Sequence, residues 1–171
     1  MAERCEEGFE QLKVDKKDFV VMTLDDELRV DQLCSDLLHR FYCERMESGL
    51  TPEQATALAR GADYFVRDFV ISIKSRSIFE ETPGIVRQFA GNWYIVNTLE
   101  PNAQELEGYL AGIREFYRFL YGHQLISPRF LQVIEGECAD LDFYTGRIAS
   151  FWDITGDGYR AWERECTLKD E

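Results

Sequence analysis

Between Leu106 and Leu120 the apolar side chains return at three- and four-residue steps: Leu106, Tyr109, Leu110, Ile113, Phe116, Tyr117 and Leu120. That spacing puts them all on one side of an α-helix and does not match the period-two pattern of a half-buried strand. A stripe this long must be covered by other elements, so the rest of the chain has to supply partners for it. The same spacing recurs three times upstream. Val30, Leu33, Cys34, Leu37, Leu38 and Phe41 form one stripe, which Gly49 ends. Ala55, Leu58, Ala62, Phe65, Phe69 and Ile73 form a second, and Ile85, Val86, Phe89 and Trp93 a third.

Start signals separate these stripes. Thr51-Pro52-Glu53-Gln54 combines a hydroxyl cap, a first-turn proline and a side chain that bonds back. Thr82-Pro83 and Ser127-Pro128 repeat the cap-and-proline pattern, and Asn102 with Glu105 has capping-box spacing. Further helices are expected from Ser127 to a break near Gly136, over residues 138–152, and from Tyr159 to Cys166. Only KKDFVVM (16–22) and WYIVN (93–97) read as strand-like, and the second is fenced inside a helical context. The prediction is an all-α fold: a single helical bundle of five to seven helices with short connections. Residues 1–22 form an N-terminal arm and residues 23–171 the helical domain. Gly61, inside the second stripe, costs about 1 kcal/mol against alanine unless a neighbouring helix packs close there.

The length of 171 residues suits one domain. Net charge is −13, and residues 1–50 alone carry 13 acidic against 7 basic side chains. Such a chain repels phosphate backbones at long range, which disfavours nonspecific nucleic-acid binding. The five cysteines, Cys5, Cys34, Cys43, Cys138 and Cys166, are odd in number and include no CxxC pair. That argues against a zinc knuckle or a disulfide framework. With a polar, acidic start and no apolar run near the ~18 residues of a membrane span, the expected setting is the cytoplasm, with free thiols and no membrane.

Residues 81–128 carry a further pattern. Ile85 and Phe89 follow a Thr-Pro helix start; Leu110, Ile113, Arg114, Phe116, Tyr117, Phe119 and Leu120 lie on the next helix, and Ile126 and Pro128 follow it. This arrangement resembles the helical core-binding domain at the front of tyrosine recombinases and phage integrases. The likeness covers about residues 30–130, with 131–171 as a helical extension. The resemblance implies a helical fold and an association with nucleic acid. It does not extend to that family's catalytic domain, whose Arg/His/Arg set and tyrosine nucleophile have no room after residue 130.

Five groups of residues are candidates for chemistry or contact. DITGDG (153–158) places Asp153, Thr155, Asp157 and Gly158 at the first, third, fifth and sixth positions of an EF-hand-type calcium loop. Arg160 and Arg164 then stand where an apolar residue and a bidentate Glu belong, which favours a plain Gly-rich turn. Asp36, His39 and Cys43 share one side of a helix and are metal-capable, but the second Asp/Glu-x-x-His motif of a di-iron bundle is missing. Glu135, Glu137, Asp140 and Asp142 form a carboxylate cluster, read as a solvated face or helix-start charges. Arg67, Lys74, Arg114 and Arg118 would make a basic stripe for nucleic acid or an acidic partner if their helices are adjacent.

Trp152, Tyr159 and Trp162 flank the Gly-rich turn and suit a surface that faces a protein partner or a second copy. No G-x-S-x-G, P-loop or dinucleotide fingerprint occurs. The expected function is therefore a small non-catalytic protein that works through protein contacts without a cofactor. A nucleic-acid-associated module is the alternative, and a metal-dependent enzyme the second alternative.

Overall fold

The computed structural model describes Cys5 and residues 12–168. Among these residues the structure is all-α, with no strand and seven helices joined by short links. They are α1 (Leu24–Glu47), α2 (Pro52–Asp63), α3 (starting at Ile85–Gln88), α4 (Ala103–Gly122), α5 (Pro128–Cys138), α6 (Leu141–Trp152) and α7 (Tyr159–Arg164). Helix α2 continues as a π-helical stretch over Tyr64–Ile71. Helix α3 does so over Phe89–Trp93 and returns to α geometry over Tyr94–Val96.

Local chemistry sets most of these boundaries. Thr23 and Asp26 form a reciprocal capping box that starts α1, and Gly49, at φ 99°, lets the chain turn after it. Thr51 and Gln54 form the second box. Ser127 Oγ accepts from the Phe130 N–H at the start of α5. This helix runs straight through Gly136 to Cys138, past the expected break, because nothing within 4 Å crowds that glycine and no positive φ interrupts it.

The Thr82-Pro83 start signal is replaced by a longer-range device. Gly84, at φ 92°, redirects the chain, and α3 begins one residue later. Its free N–H groups are taken by a carboxylate 50 residues away: Glu137 accepts from Gly84 N–H at 3.0 Å and Arg87 N–H at 2.9 Å. The Thr82 hydroxyl instead donates to the Glu80 carbonyl. At the start of α4, Asn102 caps Glu105 as expected. The returning bond, however, comes from Tyr94, whose hydroxyl oxygen accepts from the Asn102 N–H at 3.1 Å.

Helices α2 and α4 cross where their glycines meet. A Cβ at Gly61 would lie 2.9 Å from Tyr109 Cα; one at Gly112 would lie 2.9 Å from Ala62 N and 3.0 Å from Gly61 Cα. The neighbouring helix that would offset the cost of Gly61 is therefore α4, packed backbone to backbone. Beside this crossing, the π-helical stretches meet through Tyr64, Phe65, Phe69, Phe89 and Trp93, with ring centroids 5.2–5.7 Å apart across the two helices.

KKDFVVM, which reads as a short strand or as an apolar arm docked on the body, is not a strand. Lys16–Phe19 make one 3₁₀ turn capped by Asp15, and Phe19 is buried edge-on to Phe79, with ring centroids 4.9 Å apart. Leu12, Val14 and Val21 pack against the core as well. No described helix is long and apolar enough to cross a membrane.

Candidate functional site: an apolar ridge at the start of α1

Phe19 and Val21 point into the core, so the residues alternating with them in the extended connection, Val20 and Met22, point out. Leu24 and Leu28 follow one turn apart on α1. Their face is rotated about 130° from the buried stripe of Val30, Cys34, Leu37 and Phe41, at about 100° per residue. All four outward residues are exposed: Met22 at 82%, Leu24 at 71%, Leu28 at 66% and Val20 at 46%. The α1–α2 hairpin runs antiparallel, with Asp31 paired to Arg67. It brings the end of the second helix level with this turn, where Ile73 is exposed too.

The backbone under the ridge is fixed. Asp26 Oδ2 accepts from the N–H groups of both Met22 and Thr23 at 3.0 Å, and Thr23 Oγ1 accepts from Asp26 N–H at 3.1 Å. Arg29 folds back to donate to the Asp18 carbonyl at 3.2 Å and sits 3.3 Å from Asp26. The Met22 N–H bond, together with those of Thr23 and the Arg29 pair, holds the Asp26 carboxyl below the usual carboxylate range. The polar groups of the turn thus satisfy one another, leaving apolar side chains as what the surface offers. Sequence reasoning missed this ridge. Its signal was the Leu24/Leu28 pair, out of phase with the core stripe that begins at Val30.

The expected site residues are distributed differently. Trp152 is exposed at 61% and Tyr159 is partly exposed. Trp162 is not on the surface. It is 5% exposed, its Nε1–H donates to Ser150 Oγ at 3.0 Å, and the Arg147 guanidinium lies 3.8 Å from its ring centroid. Arg147 is itself 3% exposed. It donates to the Gly91 carbonyl at 3.0 Å and to the Asn92 side-chain oxygen, and pairs with Glu165 at 3.2 Å. This buried hub joins α6, α3 and α7. It draws Trp162 inward, and burial lowers the arginine's affinity for its proton.

The four cations of the basic stripe do not form a free face. Arg67 makes two bonds to Asp31, at 2.9 and 3.0 Å, and one to Asp63 at 3.1 Å. Arg118 is held by Glu135 at 2.5 Å and Glu115 at 2.7 Å. Arg114 lies 3.5 Å from Glu115, and the Lys74 ammonium lies over the Phe69 ring. Glu135 and Glu137, read as solvated charges, are an ion-pair partner and a helix cap. Burial raises the pKa of Glu137 against the pull of its backbone N–H donors.

Among the described residues no three His, Cys, Asp or Glu side chains converge as metal ligands. Asp36 accepts from Gln32, and Asp153 and Asp157 are exposed on the turn made by Gly156 at φ 58°. His39 Nε2 lies 3.7 Å from Cys43 Sγ, in a groove of about 340 Å³ shared with Tyr42, Arg60 and Arg67. Cys43 is no free thiol, contrary to expectation: it is bonded to Cys5, and the two Cα atoms are 5.5 Å apart. The bond joins two cysteines 38 positions apart that no spacing rule links. Cys34, Cys138 and Cys166 are free and buried, and burial pushes the first two up to about 12. Thiols in that state are poor nucleophiles.

A larger groove of about 840 Å³ runs between residues 76–87 and 164–168. Its charges are mixed and partly spent: Arg76 bonds Glu80 at 3.1 Å, and Arg87 stacks 4.0 Å from the Phe143 ring centroid. Comparison with protein-family models, curated proteins and solved structures returned no match for this chain.

Proposed function

We propose that this protein is a non-catalytic helical module that acts by binding another protein, and that the Val20–Leu28 ridge is its contact surface. The observation that carries the reading is the exposure of Met22, Leu24 and Leu28 on a turn whose backbone is already locked by Asp26 and Arg29. Preorganised apolar surface loses little entropy on docking, which is the condition for a small patch to bind usefully. Exposed Trp152 and Tyr159 supply a second, smaller anchor for the same kind of contact. The proposed setting is cytoplasmic, where the Cys5–Cys43 bond is open to reduction.

The nucleic-acid alternative draws less support, because Arg67 and Arg118 are held by carboxylates. The metal-enzyme alternative lacks a converging ligand set among the described residues. The test is site-specific photocrosslinking in the source cells, with a benzophenone side chain at position 24 and, as control, at exposed Ala57 on α2. The reading expects discrete protein adducts from position 24 that Leu28→Asp removes. Adducts equal at both positions, or turnover of a substrate in an activity screen, would contradict it.

A further inference from the structure

The charges around the ridge specify what can sit on it. On α1, Asp25 and Glu27 lie about 80° to either side of the Leu24–Leu28 line, at about 100° per residue, and Asp31 follows Leu28 one turn on. The nearest cation on the helix, Arg29, is turned away onto Asp26 and the Asp18 and Val20 carbonyls. Arg67, across the hairpin, is occupied by Asp31 and Asp63. The apolar line is therefore bordered by carboxylates on both flanks, with Asp25 exposed. A helix laid along the Leu24–Leu28 line meets apolar contact in the middle and a carboxylate at each edge, with the exposed Lys16 and Lys17 lying before Val20 at the other end of the ridge.

We infer that the ridge binds a cationic amphipathic helix, with apolar anchors at three- and four-residue spacing and Lys or Arg on the flanks. This rests on the reading of the ridge as a contact surface and names the partner's chemistry. A second copy of the chain would set the same carboxylates against each other on molecules that each carry a net charge of −13. An anionic lipid surface meets the same repulsion. That leaves a cationic partner helix as the occupant whose charge fits.

The experiment uses the full chain and two fluorescein-labelled helical peptides of identical apolar spacing, one Leu/Lys and one Leu/Glu, followed by anisotropy at low and high salt. Circular dichroism confirms the fold of each variant. The Leu/Lys peptide is expected to bind, the Leu/Glu peptide not. Leu28→Asp should weaken binding by about tenfold or more, the scale of one lost apolar anchor. The Asp25→Asn/Glu27→Gln double variant should weaken it several-fold and flatten its salt dependence.

Leu/Lys binding that is indifferent to Leu28→Asp would overturn the proposal as nonspecific attraction to an acidic protein. Equal, Leu28-dependent binding of both peptides would overturn the cationic partner yet leave the ridge standing as a contact surface. A Leu28-dependent dimer in sedimentation would replace the proposed partner with a second copy. Absence of Leu28-dependent binding in every arm would remove the ridge reading as well.

Discussion

Gly112→Ala adds one methyl group at the crossing of α2 and α4, and its cost can be worked from the geometry. The new Cβ would meet the Ala62 backbone nitrogen at 2.9 Å and Gly61 Cα at 3.0 Å, with the Leu58 carbonyl oxygen closer still. None of these atoms can rotate aside, so the helices must separate, by about 1 Å to restore ordinary carbon contacts of 3.5–4.0 Å. A gap of that size forfeits a quarter to a half of the dispersion well for each atom pair along the seam. Overpacking of this kind costs about 1–3 kcal/mol or more. The helix-propensity gain of alanine over glycine returns about 0.5–1 kcal/mol, for a net loss of about 2 kcal/mol.

Gly108, one turn earlier on α4, is the internal control: it has nothing within 4 Å of a built Cβ, so Gly108→Ala takes the propensity gain alone. The two variants should differ by about 3 kcal/mol, or roughly 6–12 °C in Tm for a domain of this size. Urea unfolding followed by circular dichroism measures the difference directly. Equal midpoints for Gly108→Ala and Gly112→Ala would refute the close backbone crossing, and with it the packing of the α2–α4 pair.

Further substitutions test the other devices. Arg147→Met should destabilise by about 2–6 kcal/mol, at about 1–3 kcal/mol for each of two neutral acceptors, because it leaves Asn92 and the Gly91 carbonyl buried without their donor. It should also red-shift Trp162 emission as the ring loses its stacked guanidinium; an unchanged urea midpoint would contradict the hub. Glu137→Ala should cost about 1–3 kcal/mol by leaving α3 uncapped, while Glu137→Gln keeps one acceptor and costs less. Because burial raises Glu137's folded pKa above its unfolded value, the native state holds this proton longer. Wild type should therefore lose stability relative to Glu137→Gln as pH rises from the ordinary carboxylate range through the raised value, measurable as diverging urea midpoints. Reducing the Cys5–Cys43 bond, which closes a 38-residue separation, should lower stability by up to about 4 kcal/mol; identical melts with and without a phosphine reductant would argue against the bond.

Much of the fold was legible because it rests on local rules. The Thr51–Gln54 box, the Ser127 cap and the Leu106–Leu120 stripe each act within a few residues, and each appears where its pattern predicts. What escaped depends on residues far apart in the chain. Glu137 caps a helix that starts 52 residues before it, Tyr94 completes the α4 cap from the preceding helix, and Cys5 meets Cys43 across a separation of 38 positions. The backbone contact between Gly61 and Gly112 emerges only once the helices cross.

The site residues divide in the same way. Trp162 stands beside a glycine-rich turn, which suggested a surface role, yet Arg147 from another helix draws it into the core. Arg147 lies one turn after Tyr144 among the buried residues of its helix, Tyr144 and Ile148, a charge at a core position. The basic stripe failed as a face because its cations are neighbours of carboxylates on other helices, Asp31 and Glu135, rather than of one another.

Amide hydrogen exchange across residues 22–28, read residue by residue by NMR on the free protein, tests the preorganised ridge most directly. The account predicts that the Met22, Thr23, Asp26 and Glu27 amides, each with an acceptor in place, exchange as slowly as those in the middle of α1. Exchange at the rate of an open chain over these positions would mean that the turn is unformed until a partner arrives, and would contradict a rigid contact surface.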